Sequence, residues 1–517
     1  MLAHIDMALC GSANRELSHT HPTRATVQIK KSLAINLLGG AWTAVLLVAT
    51  TPWFVSRLGI EGYGLIGFWM VLIYISLIFD FGMGSSLARE FARCAGRNAA
   101  RHEYQGLMRL FERPVLLIAT AIMGIVALGA PWLVENWLTV KGYSAGEVTS
   151  AIRWMAISAA SQFASNFYTL ALGGLQRQDL VVAIQVLSNS LRYLGGVAVV
   201  AVTGGVVDFF VFQGVAAVAV AAIARFALLR QIGPLIEPPP MSTKLSLRHF
   251  ARFSGGMFLT AVFAAAVANG DRLAVSKLMA AEMLGRYTIA ATAIGLLQMF
   301  IFAVHRVYQP RFTQLHAAAD VPGLRRAYYQ ACMVVGVTII PLAILFLVYA
   351  PEILKLWLGW ADRDTTNTAR ALVLGFAMAG VMWLPASYQQ AIGWTRLNVW
   401  LMAMALALGV PLLIVGIRMF GLAGAAALML THGLIQITVG LWAMNRVCFP
   451  GESLLWYQRV VIRPVLICLP VVVTLKLLMP ADLNALGSIA WLLLNFGTVA
   501  ALIYIDRDRI LSVESKS

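Results

Sequence analysis

The chain has 517 residues, 60% of them hydrophobic and 12% charged, with a mean hydropathy of +0.78 and a formal net charge of +16. A soluble domain carries about 25% charged residues, so a water-wetted surface of ordinary composition is excluded. Apolar runs of helical length exclude a transmembrane β-barrel, whose strands alternate, and leave an all-α polytopic membrane protein.

Residues 1–29 are polar and mixed. No basic, apolar and small-residue succession precedes the first apolar run, so they read as a cytoplasmic tail rather than a signal peptide. Fourteen predicted spans follow, at 33–55, 64–87, 114–136, 151–172, 179–202, 206–229, 252–271, 286–308, 327–350, 370–391, 397–417, 421–445, 461–480 and 486–505. Glycine, proline or charge punctuates the junctions, as at Gly59-Ile-Glu-Gly62, Gly204-Gly205, Pro238-Pro-Pro240 and Pro480-Ala-Asp482. With the N-terminus inside, 27 of the 39 Lys and Arg residues fall in cytoplasmic segments, 11 fall outside and Arg192 lies within a span. This asymmetry sets the orientation, puts both ends in the cytoplasm and absorbs most of the positive charge, so no nucleic-acid partner is needed to explain it. The five cysteines are scattered without metal-ligand spacing, and Cys332 and Cys468 read as small hydrophobes.

The chain repeats itself. Pro131 to Leu138 (P-W-L-V-E-N-W-L) returns as Pro351 to Leu358 (P-E-I-L-K-L-W-L), and Gly174-Leu-Gln-Arg177 as Gly393-Trp-Thr-Arg396. Glu61-Gly-Tyr-Gly64 aligns with Glu282-Met-Leu-Gly285, Gly39-Gly40 with Gly255-Gly256 and Arg89 with Arg311. A period of six spans gives two parallel repeats, expected to be related by an axis along the membrane normal. The predicted organisation is a tail at 1–29, an N-lobe at 30–230, a linker at 231–251, a C-lobe at 252–446, two further spans within 447–505 and a cytoplasmic tail at 506–517.

The junction sequences K-K-S-L-A-I-N-L-L-G-G from Lys30, R-L-G-I-E-G-Y-G-L from Arg57 and F-D-F-G-M-G-S-S-L-A-R from Phe79 resemble Wzx-type polysaccharide flippases. L-G-R-Y-T-I-A from Leu284 and V-Y-Q-P-R-F from Val307 look like second-half counterparts. These flippases belong to the multidrug/oligosaccharidyl-lipid/polysaccharide exporter superfamily. The resemblance implies two six-helix lobes, a central cavity and alternating access. It implies a lipid-linked oligosaccharide on a polyprenyl pyrophosphate, moved to the periplasmic leaflet of the bacterial inner membrane. It points to a polysaccharide polymerase and a chain-length regulator as partners, and to no cofactor beyond a proton or sodium gradient. A lipid II-type flippase, a drug/cation antiporter, a membrane glycosyltransferase and a non-transporting scaffold stand as rivals. The long loops fall inside by the charge rule, which disfavours a glycosyltransferase needing a large periplasmic loop. No P-loop, HExxH or G-x-S-x-G is present.

A charge at membrane depth costs about 2.5–3.5 kcal/mol on insertion scales, so each is a candidate. Asp80 reads either as a cavity carboxylate for the driving ion or as an interfacial partner of Arg89. Arg192, mid-span in L-S-N-S-L-R-Y-L-G-G, suits a pyrophosphate through its planar fork, or else bonds neighbouring carbonyls. Asp271 and Arg272 pair with each other or reach span 1, where Asn36 and Trp42 lie. His305 and Arg306 read as an entry site for the carrier or as a positive-inside anchor. Arg89, Arg93, Arg97 and Arg101 recur every four residues and predict one helical stripe against anionic phospholipids at the cytoplasmic face. Trp53, Trp69, Trp132, Trp137, Trp357 and Trp360 read as an interfacial belt.

Overall fold

A computed structural model describes residues 22–97, 99–233, 247–480 and 483–505, with the side chains of 22–37, 247–261, 296, 303 and 504 outside that description. The expected tail beyond residue 505 and most of the expected linker, 234–246, also lie outside it, as do the side chain of Asn36 and the packing around Gly255-Gly256. The described elements are α1 (Pro22–Ile78), α2 (Met83–Gly96), α3 (Arg101–Asn136), α4 (Ala145–Gly174), α5 (Gln178–Ser190), α6 (Gly196–Thr203), α7 (Val206–Ile232), α8 (Leu247–Leu278) and α9 (Ala281–Ala317). They continue as α10 (Val321–Leu358), α11 (Arg363–Val381), α12 (Trp383–Ala391), α13 (Arg396–Phe420), α14 (Ala427–Ile435), α15 (Leu441–Cys448), α16 (Ser453–Trp456), α17 (Arg463–Leu477) and α18 (Ala485–Ile505). Three π-helical turns, Leu191–Gly195, Gln436–Gly440 and Tyr457–Ile462, interrupt the α-helical ladders.

Ten helical stretches among the described residues are long and apolar enough to cross a membrane. Two of them each hold a pair of the predicted runs. The stretch 38–78 is broken at Gly59 (φ 71°), and the stretch 396–448 at Gly421 (φ 61°). Both breaks use the left-handed backbone that glycine adopts without steric cost. The fourth and seventh predicted runs lie on α4 and α8, which are not among the ten. Leu128 (85% exposed), Val202 (87%), Trp400 (74%) and Leu477 (81%) stand off the helix surfaces. Water would penalise so many bare apolar side chains, whereas hydrocarbon is their natural solvent; the chain is a multi-pass membrane protein.

The structure corrects three expectations. The helix of span 2 stops at Ile78 instead of running to 87, because Phe81 (φ 46°) and Gly82 (φ 76°) turn the chain before α2 begins. The arginine stripe is not one helix: α2 ends at Gly96 and Arg101 opens α3, while Arg93 pairs with Glu90 and Arg97 with Glu103. Helix α1 begins at Pro22, inside the stretch expected to be tail.

Burial divides the molecule in a way that places the site. One core comes wholly from α2, α3, α4, α5 and α7, with Phe91, Phe111, Phe163 and Leu228 at its centre. A second comes wholly from α9 onward, around Tyr328, Cys332, Tyr349 and Trp456. A third is shared: Phe54, Tyr63, Trp69 and Phe209 pack with Leu284, Tyr287, Leu413 and Leu428. Two helix groups thus fuse at one end and keep separate cores at the other.

Candidate functional site

The fused end is a close approach of α1 and α9. A Cβ on Gly64 would lie 2.0 Å from the Ala281 carbonyl oxygen, and one on Gly285 would lie 2.0 Å from the Ile60 carbonyl oxygen. Only glycine lets these backbones come so near. The contact is reciprocal. It joins Glu61-Gly-Tyr-Gly64 to its repeat partner Glu282-Met-Leu-Gly285, each glycine against the residue preceding the other motif. The repeated tryptophans cross in the same reciprocal way. Trp137 Nε1 donates to Ser276 Oγ of α8 at 3.0 Å, and Trp357 Nε1 donates to the Val48 carbonyl of α1 at 2.7 Å. They are not a belt, and neither is Trp69, which is 1% exposed among Phe209 and Phe210.

Loops tighten this end. Glu61 accepts the N–H groups of Lys141 (2.6 Å) and Gly142 (2.7 Å), and Ala281 N–H donates to Thr139 at 2.9 Å. Opposite them, Arg286 bridges Glu282 at 2.8 Å and Asp362 at 2.9 Å. Burial raises the Asp362 carboxyl, but hydrogen bonds from Thr365 and the Arg286 guanidinium outweigh it and leave Asp362 below the ordinary carboxylate range.

Just inside the fused end, the sequence-predicted charges gather. Arg192 lies in the π-turn between α5 and α6. Its guanidinium stacks 4.9 Å from the Trp69 ring centroid, and Nη2 donates to Gln162 Oε1 of α4 at 3.3 Å. Such stacking is worth about 0.5–2 kcal/mol. Among the described residues, no ion pair joins Arg192 to a carboxylate. The neighbouring polar residues of that span are bonded to α1. Asn189 donates to Thr43 Oγ1 at 2.9 Å, and Trp42 Nε1 donates to Ser190 Oγ at 2.9 Å. Trp42 therefore faces Ser190.

Asp271 is 4% exposed. Its carboxylate accepts the Tyr287 hydroxyl and the backbone N–H of Arg272 (2.7 Å), so its partners come from α8 and α9. Tyr63 lies near both arginines. It lines the same narrow void as Arg192, shares a hydrogen bond of 3.0 Å with Thr51, and lies within electrostatic reach of Arg272. Arg192 and Arg272 thus bring one cation from each helix group towards the seam.

The other candidates lie elsewhere. Asp80 accepts the Gly84 N–H at 3.0 and 3.3 Å, so it closes the start of α2 after the turn. His305 Nδ1 is 2.7 Å from Ser387 Oγ, and Arg306 is exposed at the end where the cores are separate. Sequence reasoning passed over Gln162, Gln213 and Tyr287, which are neutral residues inside apolar runs. It also passed over Glu112, 6% exposed, which accepts from Arg225 (2.7 Å) and Tyr168 (3.0 Å) and ties α3, α4 and α7 together. Among the described residues, no group of three or more His, Cys, Asp or Glu is arranged to hold a metal ion.

Residues 29–316 match the model of the polysaccharide biosynthesis protein family. The chain is 22% identical over 438 residues to the "Putative O-antigen transporter" of Shigella flexneri, covering 83% of this chain and all of that protein. Its fold is similar to that of the lipid II flippase MurJ in an inward closed conformation, with TM-score 0.71 and 14% identity over 94% of this chain and 100% of the other. It is also similar to an inward-facing multidrug resistance MATE transporter of the MOP superfamily, with TM-score 0.64 and 15% identity over 78% of this chain and 96% of the other.

Proposed function

Because this chain belongs to the polysaccharide biosynthesis protein family, we propose that it is a flippase that carries a polyprenyl-pyrophosphate-linked oligosaccharide from the cytoplasmic to the periplasmic leaflet. The observation that carries the reading is Arg192, a permanent cation held at membrane depth by neutral partners only. A cation left without a carboxylate is suited to receive an anionic group, and a guanidinium matches the fork of a phosphate. Arg272, from the other helix group, adds a second positive charge near the seam. A drug/cation antiporter would need the opposite polarity at this place.

The two helix groups are the lobes of an alternating-access carrier with fourteen spans, the pairs in 38–78 and 396–448 counted separately and α4 and α8 included. Both ends are cytoplasmic and the membrane is the bacterial inner membrane, as the Lys and Arg bias suggests. The glycine contact then seals the periplasmic side, and the head group enters past Arg306 on the cytoplasmic side. Its passage requires Gly64 and Gly285 to part, while the polyprenyl tail stays in lipid. Asp271 is the carboxylate that answers a proton or sodium gradient. Anionic phospholipids lie against the arginines of α2 and α3, and a polymerase and chain-length regulator take the product.

Deletion of the gene tests the reading. Lipid-linked oligosaccharide is expected to accumulate on the cytoplasmic leaflet and to be restored to the periplasmic leaflet by the wild-type gene. Periplasmic accumulation in the deletion strain would point to a later step, such as ligation or polymerisation, and overturn it.

A further inference from the structure

Arg192 does not sit in an α-helix. Leu191–Gly195 form a π-helical turn, with the Gly196 N–H bonded back to the Leu191 carbonyl, inside one continuous apolar run. Single π-turns are rare, accommodate an extra residue in the ladder and cluster at functional positions. This one is held from outside. Gln213 of α7, 3% exposed, donates from Nε2 to the Arg192 carbonyl at 2.8 Å. The turn is also bare towards α7. A Cβ on Gly195 would come 2.5 Å from the Phe212 ring. One on Gly196 would lie 2.7 Å from the Phe209 ring and 3.1 Å from Gln213 Nε2. Helix α7 therefore lies directly on the turn.

The π-turn Gln436–Gly440 offers a comparison. Tyr457 donates to the Ile437 carbonyl there, so cross-helix support of a π-turn recurs. That turn carries no charged side chain, whereas the first carries Arg192.

We infer that Gln213 is a positioning residue for phosphate recognition: it holds the π-turn through the Arg192 carbonyl, and the turn aims the guanidinium over Trp69. The inference rests on reading Arg192 as the phosphate-binding group. Removal of the extra residue from the ladder would swing the side chain by about 100° around the helix axis, one residue's rotation, away from Trp69 and Gln162. A neutral amide suits the post, since a carboxylate there would compete with the ligand for the arginine.

The test uses the purified full chain in detergent micelles, with inorganic pyrophosphate titrated calorimetrically. Arg192→Gln is expected to weaken binding at least about tenfold, the loss of a charge-assisted hydrogen bond. Gln213→Leu is expected to weaken it about fivefold alone and to add nothing in the Arg192→Gln background, because it acts through the arginine. Gln213→Met, which has no donor for the carbonyl and adds no charge, carries the same expectation if the leucine variant does not survive size-exclusion chromatography. Unchanged binding by Gln213→Leu, with binding lost by Arg192→Gln, overturns the positioning role alone. So do additive losses in the double variant, which mark a general packing effect. No binding by the unaltered chain, or Arg192→Gln binding like it, overturns both readings.

Discussion

Arg192 and Asp271 are both charges carried into apolar runs, yet their surroundings are opposite. Asp271 is closed in, with a hydroxyl and an N–H from its own helix group on its carboxylate. Arg192 is only partly buried and has an aromatic face, an amide oxygen and the Tyr193 hydroxyl for company, with no carboxylate paired to it among the described residues. A guanidinium has five N–H donors, and Gln162 takes one, so donors remain for a ligand. A buried charge is thus informative through its partners, not its depth. A charge with internal partners is fit to be a gated or structural element. A charge with neutral partners is fit to recognise something that arrives.

Three substitutions probe the contrast. Asp271→Asn, the largest in effect, is expected to lower gradient-driven transport about a hundredfold, at the upper end of the usual range of coupling energies. It should leave pyrophosphate binding as it is. An equal fall in pyrophosphate affinity would merge the two regions into one binding site. Gly64→Val acts at the fused end, where its Cβ meets the Ala281 carbonyl. A loss of about 1–3 kcal/mol in stability is expected from the forced separation, read as a lowered thermal midpoint in detergent. An unchanged midpoint would mean that the glycine contact does not hold the two helix groups together. Trp357→Phe removes one cross-seam hydrogen bond, and about 1 kcal/mol is expected, the smallest effect of the three. A loss as large as that from Gly64→Val would shift the weight of the seam from backbone packing to the indoles.

Much of the frame was legible in the sequence, because hydropathy and glycine punctuation are local signals. The apolar runs fall on helices, and Gly59 breaks α1 within the predicted turn. Arg192 was legible for the same reason, being a lone charge in an apolar run. Its supports were not. Gln162 and Gln213 are neutral amides with no periodic signature, and the π-turn leaves no trace in L-R-Y-L-G. Trp69 was misread because nearness to a span end does not reveal which way a side chain points, and it points into the shared core. The arginine stripe failed because four-residue spacing does not show that the helix ends at Gly96. The reciprocal glycine contact lay half in view: the repeat aligned the two motifs, but only the fold brings them together.

On the proposed function, this chain moves an anionic lipid-linked saccharide by way of Arg192. Reconstituted into liposomes with a fluorescent polyprenyl-pyrophosphate oligosaccharide on the inner leaflet, the full chain should render the label accessible to a membrane-impermeant quencher. Arg192→Gln, reconstituted to the same level, should leave it protected. Equal exposure by both proteins would remove Arg192 from the transport path.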